Sequence, residues 1–245
     1  MLRPPPDTNS GVVDSFPAFL PRLSRSERAA TLLEILLVAA LVLVLACLTV
    51  VGFAHWKKSS QNVVCAANLR QVGLAVMHYA QENNNQLPGP LWRGQTPYYQ
   101  TDAEGLPDTA SGNLISFLAV YLDLEALPPV QTARADPISC PAWLADAEKA
   151  GKTMCYYSTG LWTKPNGEEV TPFGIMGTAE REAVPPLVLA ALETPSQIPA
   201  LREFDRRGVT EGFYSEDPRV PEAPVHQTVR HVLYFDSHVA AVSVN

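Results

Sequence analysis

The feature that most constrains this chain is an apolar run over residues 35–54, twenty residues without a charged side chain. At about 1.5 Å rise per residue, a helix of that length spans roughly 30 Å, the thickness of a bilayer's hydrocarbon core. A helix also satisfies its own backbone hydrogen bonds in lipid. A soluble core helix is the alternative, but no polar stripe interrupts residues 35–47. The run therefore predicts a transmembrane helix over about residues 32–55.

Other roles for this run fit the residues less well. A cleaved secretory signal has an apolar region of about 7–15 residues behind a short basic lead-in, whereas this run is longer and nearly thirty residues precede it. Residues 44–47 match a lipoprotein cleavage box only loosely, because Leu45 stands before Ala46. A plain signal anchor stays open, but it leaves unexplained the carboxylate of Glu34 at the start of the run.

Basic residues flank the run on both sides. Arg22, Arg25 and Arg28 precede it, and Lys57 and Lys58 follow it. The positive-inside rule therefore favours a cytoplasmic N-terminus by a small margin.

Residues 29–34, which read Ala-Ala-Thr-Leu-Leu-Glu before the apolar helix, resemble the prepilin cleavage and methylation motif of type IV pilins and type II secretion pseudopilins. In that family a small residue precedes the cut, and Phe-Thr-Leu-Ile-Glu follows it. The resemblance implies that prepilin peptidase cuts between Ala29 and Ala30 and methylates the new amine, with Ala30 in the place of the usual Phe. Four further positions fall into the family's register and are expected to act in assembly: Thr31, Leu32, Leu33 and Glu34.

The resemblance extends to two later segments. Residues 65–88 resemble the end of the long helix in a large group of bacterial pseudopilin-like proteins, which often carry a C-terminal signature of His, nine residues, then Asp-Gly. Here His226 is followed by Asp236 and Ser237, with Ser in place of Gly. The resemblance implies a subunit of a type II secretion or type IV pilus-type filament, anchored once in the bacterial inner membrane with its head in the periplasm.

The family motif also gives Glu34 a partner. An intramembrane carboxylate is costly unless it is paired, and cleavage before Ala30 creates an α-amino group that is an ammonium at neutral pH. The resemblance implies that Glu34 pairs with the Ala30 amine of a neighbouring subunit. The alternative is an interfacial glutamate that reaches the lipid headgroups.

The sequence after the bilayer run predicts the rest of the fold. An apolar stripe at helical spacing (Cys65, Leu69, Val72, Val76 and Tyr79) indicates that the helix continues and packs on a head, and residues 83–85, Asn-Asn-Asn, should end it. We therefore predict a leader over residues 1–29, a helix over 30–82 and a periplasmic head over 83–245. The expected class is α+β and pilin-like, with a long N-terminal helix packed on a small antiparallel sheet.

Inside the head, the patterns predict short elements. The C-terminus reads as a β-hairpin with a two-residue turn at Asp236 and Ser237, a position that favours positive φ. The expected helices are 111–127 and 141–150, and the expected strands are 153–161, 186–192, 198–204, 229–235 and 238–242.

No catalytic constellation stands out: the sequence has no glycine-rich phosphate loop, no HExxH motif and no cysteine pair at zinc spacing. We therefore expect no enzymatic activity and no cofactor. His226 and Asp236 are too far apart to meet along a straight strand, so Asp236 reads as a turn former and His226 as a hydrogen-bonding residue. Metal binding through His231 and His238 stays open. Asp205, Glu211, Glu216 and Asp217 have no spacing that fits a calcium loop.

The net charge of −7 and the absence of a basic patch argue against nucleic-acid binding. The expected partners are prepilin peptidase, other pilin-like subunits and the inner membrane. A monomeric, membrane-anchored periplasmic binding module is the alternative, and an anchored hydrolase is the third hypothesis. A processed N-terminus at Ala30 would distinguish the filament subunit from a simple anchor.

Four cysteines indicate what to expect if the head lies in an oxidising compartment. Cys47 lies in the apolar run, Cys65 on the long helix, and Cys140 and Cys155 in the head. In an oxidising periplasm we predict a Cys140–Cys155 disulfide, which would close a loop of about 15 residues and contribute roughly 3 kcal/mol. Cys65 is the competitor for either partner, and three buried free thiols are the alternative.

Overall fold

The computed structural model describes residues 31–159, 161–164, 166–208 and 213–244. The chain divides into two compact units, Met1–Thr49 and Val50–Asn245. The predicted leader, with Ala29 and Ala30, lies outside the described residues. The second unit combines helix with antiparallel sheet, so the α+β class is confirmed.

The first helix, α1, runs from Leu32 to Glu82 and contains 51 residues. Within it, Leu32–Thr49 is long and apolar enough to cross a membrane, with a mean hydropathy of 2.8, and none of its side chains is buried. The helix ends where Asn84 and Asn85 take positive φ, at 55° and 60°. Asparagine is one of the few residues that adopts this conformation readily, so the three asparagines end the helix as predicted.

The part of α1 in the second unit supplies one wall of the core. Cys65, Leu69, Val72 and Val76 are each at most 3 % exposed, and Tyr79 packs against them as a partly buried ring. The predicted apolar stripe is therefore confirmed as the buried face. Burial of such a face stabilises a helix more than its intrinsic propensity does.

An antiparallel sheet covers this core, and two smaller ribbons flank it. The five-stranded sheet has the order β1-β4-β7-β8-β9, β2 pairs with β3, and β5 pairs with β6. The strands are β1 (Gly94–Gln95), β2 (Tyr98–Gln100), β3 (Thr132–Arg134), β4 (Tyr156–Ser158), β5 (Trp162–Thr163), β6 (Glu169–Val170), β7 (Pro199–Glu203), β8 (Val229–Tyr234) and β9 (Val239–Ser243).

Two of the predicted helices are present in shorter form. The helix expected over 111–127 is α2, Leu114–Leu118. Residues 119–123 continue it only as turns, and Asp123 takes a φ of 51°. The helix expected over 141–150 begins as α3, Pro141–Trp143, and continues as a π-helical turn, Leu144–Glu148.

The predicted strand over 186–192 is wrong. The segment forms a 3₁₀ turn, Leu189–Ala191, and a single bridge between Val188 and Gln86. The prolines around it lack the N–H that a sheet ladder requires, which explains why one bridge does not extend into a strand.

The C-terminal hairpin is confirmed, but its turn is longer than predicted. Tyr234 N donates to His238 O at 3.0 Å, which leaves a loop of Phe235, Asp236 and Ser237. Ser237 takes a φ of 68°, as the third residue of such a loop usually does. The interpretation of Asp236 as a turn former also holds, because its carboxylate accepts the His238 N–H at 3.1 Å.

Candidate functional site

The N-terminal motif begins α1 with a helix cap. The Thr31 hydroxyl accepts the Glu34 N–H at 3.3 Å, and the Thr31 carbonyl accepts the N–H groups of Glu34 and Ile35 at 2.9 and 3.2 Å. This is half of a capping box, whose sequence signature is Thr-x-x-Glu. The sequence carried that signature, but the prediction assigned these residues to assembly alone. Glu34 thus has a local role as a negative charge in the first turn of a helix.

The disulfide prediction is wrong in its pairing. Cys140 is bonded to Cys65, with the two Cα atoms 4.6 Å apart, while Cys155 is a buried free thiol. The reason is the position of Cys65 on the buried face of α1. A hydrogen bond from Asn68 Nδ2 to Ser139 O, at 2.8 Å, joins the same two segments beside the bridge.

A buried polar cluster lies next to this disulfide. His226 Nε2 is 3.4 Å from Cys140 Sγ and 2.9 Å from Glu203 Oε1. The other carboxylate oxygen of Glu203 accepts the His231 N–H at 2.8 Å, and His231 Nδ1 lies 3.1 Å from Oε1. Glu203, His226 and His231 are all at most 8 % exposed. We call these three residues the buried triad.

The triad keeps its carboxylate ionised. Burial alone would raise the pKa of Glu203, but the hydrogen bonds from His226 and His231 outweigh burial and hold that pKa below its usual value. Burial, followed by the nearby Glu203 charge, raises the pKa of the Cys155 thiol. Cys155 is therefore protonated at neutral pH and a poor nucleophile.

Metal ligands are grouped here, but their chemistry does not favour a metal. One ligand atom from each of Cys65, Cys140, Glu203 and His226 lies within 4.8 Å of the others. Two sulfurs that share a bond are not thiolates, which leaves one histidine and one carboxylate, fewer than the four ligands of a structural zinc site. Among the described residues, this is the one group in which three or more His, Cys, Asp or Glu side chains bring ligand atoms this close together.

Two of the acidic residues whose spacing fitted no calcium loop form ion pairs instead. Asp205 accepts from Arg230 Nε at 2.5 Å, and Asp217 accepts from Arg219 Nη2 at 2.7 Å. Glu211 lies outside the described residues. The arginines thus already neutralise two of the carboxylates that a calcium ion would need.

The residues of the C-terminal signature lie in two different parts of the second unit. His226 belongs to the buried triad, whereas Asp236 contacts His238, with its carboxylate oxygen 2.5 Å from Nδ1. His238 is partly exposed. His231 and His238 therefore do not form a shared metal site.

Ser237 brings the hairpin turn against α1 at Gly73. A Cβ built on Gly73 would lie 2.7 Å from Leu233 Cδ1 and 3.2 Å from Ser237 Cα. Glycine is the residue that allows this approach, since even a methyl group would collide with the hairpin. The signature thus fixes two contacts: His226 lies against the disulfide, and Ser237 lies against the helix.

The sequence matches no protein-family model, and no curated protein or solved structure matches the chain. Within the second unit, the disulfide joins α1 to the residue before α3, and the Gly73 contact joins α1 to the C-terminal hairpin. The buried triad links β7 to β8 and touches the disulfide. These contacts suit a structural role for this region.

Proposed function

We propose that this protein is a pseudopilin-like subunit of an envelope-spanning filament of the type II secretion or type IV pilus kind. The observation that carries the proposal is a single helix, Leu32–Glu82, with two contrasting parts. The part from Leu32 to Thr49 is apolar and exposes its side chains, whereas the stripe from Cys65 onward is buried under the sheet. A filament subunit needs both properties: a free apolar segment and a rigid folded head.

The apolar segment suits a single membrane crossing. Eighteen residues, Leu32–Thr49, rise about 27 Å as a helix, close to a hydrocarbon core. Exposure of leucine and valine side chains to lipid carries no free-energy penalty. In water the same exposed segment would promote aggregation. We propose that the N-terminus is cytoplasmic and that the second unit lies in the periplasm.

The disulfide supports this orientation. The Cys65–Cys140 bond belongs to the second unit, and disulfides persist in the periplasm but are rare in the cytosol. A buried bridge between α1 and the head would form after export.

In the filament, Glu34 has two roles, and both use its negative charge. In the first turn of α1 the charge lies near the helix N-terminus, where Thr31 supplies the capping hydroxyl. As the partner of a neighbour's Ala30 amine it needs its negative charge. Breaking a desolvated ion pair by removing one partner is strongly destabilising, so the charge should matter for assembly.

Crosslinking through Cys47 tests the proposal, because this free thiol lies in the apolar part of α1 and is exposed. We expect membranes that contain the wild-type protein to give Cys47-linked dimers on mild oxidation. Glu34→Gln should lower the dimer yield as strongly as Glu34→Ala, whereas Glu34→Asp, which keeps the negative charge, should retain much of it. Cys47→Ser is the control that abolishes the signal.

Two results would count against the proposal. If the wild type gives no dimers in the membrane, the monomeric anchored module is the better description. If Glu34→Gln crosslinks as well as the wild type, the charge of Glu34 is not needed and the pairing with Ala30 is wrong. Retention of the head disulfide in each variant shows that the fold is intact.

A further inference from the structure

A large groove opens on the second unit, and its lining includes no residue of the disulfide or of the buried triad. Its volume is about 1310 Å³, above the roughly 300–1,000 Å³ of sites that hold one small molecule. Its position beside the edge strand β1 places it wholly within residues 92–219. Six of its lining residues carry the argument: Trp92, Arg93, Tyr98, Tyr157, Arg181 and Tyr214.

Five aromatic residues are among those that line this groove: Trp92, Tyr98, Tyr99, Tyr157 and Tyr214. Trp92 is 39 % exposed, a large fraction for a tryptophan that belongs to a folded head. Tyr157 and Tyr214 meet edge to face with ring centroids 6.2 Å apart, and Tyr214 lies across Gly94, whose added Cβ would be 3.1 Å from its ring. Tyr157 and Tyr214 are therefore held in position by ring packing.

Positive charge lines the same groove in an acidic protein. Arg93 and Arg181 contact no carboxylate among the described residues, while Arg219 is neutralised by Asp217. One carboxylate in the lining, Glu180, opposes them. The protein as a whole has a net charge of −7, so the groove is a place where an anionic ligand is favoured locally.

The backbone around the groove argues against an extended peptide as the ligand. Peptides that bind beside a sheet usually pair with a free edge strand. Here the edge strand β1 has two residues, and the Gly94 N–H already donates to the Tyr214 hydroxyl at 3.3 Å. Thr96, Ser111 and Thr132 are among the residues that line the groove.

We propose that this groove binds an acidic oligosaccharide, with sugar rings stacked on Trp92 and uronate carboxylates bound by Arg93 and Arg181. The flat apolar face of a pyranose ring matches an exposed indole, and its hydroxyls match hydroxyl side chains. A guanidinium binds a carboxylate through two parallel hydrogen bonds. The volume fits several linked sugars. Binding at this groove is independent of whether subunits assemble.

Calorimetry on the full chain in non-ionic detergent tests this proposal with three probes. The probes are a hexamer of galacturonic acid, neutral maltohexaose of the same length, and hexaglutamate, which has the charge without the sugar. We expect one hexagalacturonate per chain, with binding at least tenfold weaker for each of the other two. Salt should weaken the binding, because exposed charges are screened.

Variants locate the site. Arg93→Gln and Trp92→Ala should each weaken hexagalacturonate binding roughly tenfold, the scale of one lost charged hydrogen bond or one lost hot-spot ring. Arg207→Gln, an exposed arginine outside the groove, is the matched control and should bind like the wild type. An unchanged melting temperature shows that each variant is folded.

Three results would overturn the proposal: no binding of hexagalacturonate, equal binding of hexaglutamate, or an affinity of Arg93→Gln equal to that of the wild type. Equal binding of hexaglutamate would make the groove a site for acidic peptides. Equal affinity of Arg93→Gln would place any binding elsewhere on the surface.

Discussion

Removal of the Cys65–Cys140 disulfide should cost the second unit a large part of its stability. The bonded cysteines are 75 residues apart in the sequence. In the chain-entropy treatment, closing a loop of that length in the unfolded state contributes about 4.5 kcal/mol to the free energy of unfolding. Domains are typically stable by about 5–15 kcal/mol, so this one bond corresponds to about 30–90 % of a typical domain's stability.

The perturbation is the double variant Cys65→Ala with Cys140→Ala, and the assay is urea unfolding of the purified protein in detergent. We expect the free energy of unfolding to fall by about 4 kcal/mol. Cys155→Ala, which removes a buried thiol without touching the bridge, is the matched control and should cost only about 1 kcal/mol.

Thiol counting separates the two possible pairings. Alkylation of the denatured, unreduced wild type should label two thiols, Cys47 and Cys155. Cys155→Ala should then retain one free thiol. If Cys155→Ala instead exposes three free thiols, or costs as much stability as the double variant, Cys140 pairs with Cys155 and the reasoning from α1 fails.

Two further predictions concern the contacts of the hairpin sheet. Because the pKa of Glu203 is held below its ordinary 4.5, its ionised form contributes stability above that pH, and this contribution should be lost as the pH falls through the lowered pKa. Glu203→Gln should flatten that acid dependence in urea unfolding. Gly73→Ala gains about 1 kcal/mol of helix propensity but collides with buried Leu233 and the backbone of Ser237, so we expect a net loss of about 1 kcal/mol.

Controls for these two predictions lie nearby. Leu74→Ala changes an exposed position on the same helix and should shift the free energy of unfolding by less than about 0.5 kcal/mol. A Gly73→Ala variant more stable than the wild type would show that the hairpin does not pack closely against α1 at Gly73. An acid-side stability profile that Glu203→Gln leaves unchanged would show that the ionisation of Glu203 is not linked to folding.

The sequence predicted the parts of this fold that depend on short-range patterns. The stripe from Cys65 to Tyr79, the asparagines that end α1 and the positive φ of Ser237 follow from helical period and turn chemistry. The disulfide pairing could not be predicted from such patterns, because it depends on where the 75-residue loop returns to α1. The buried triad was not predicted for the same reason. Glu203 and His231 lie on adjacent strands, β7 and β8, and only the sheet register brings them together.

The groove could not be predicted from sequence order either. Trp92 and Arg93 precede β1, and Tyr157 lies in β4, so the groove exists only because these strands pair. Even so, the Thr31 cap of α1 could be predicted from the sequence, since the Thr-x-x-Glu signature is local.

The intact mass of the mature protein, which shows where its chain begins, tests the central claim most directly. Protein extracted from membranes of cells with an active prepilin peptidase should begin at a methylated Ala30 and lack residues 1–29, and Ala29→Arg should leave the chain uncut. A wild-type chain that still begins at Met1 in those cells would contradict the account, and the protein would then be a membrane-anchored module rather than a processed filament subunit.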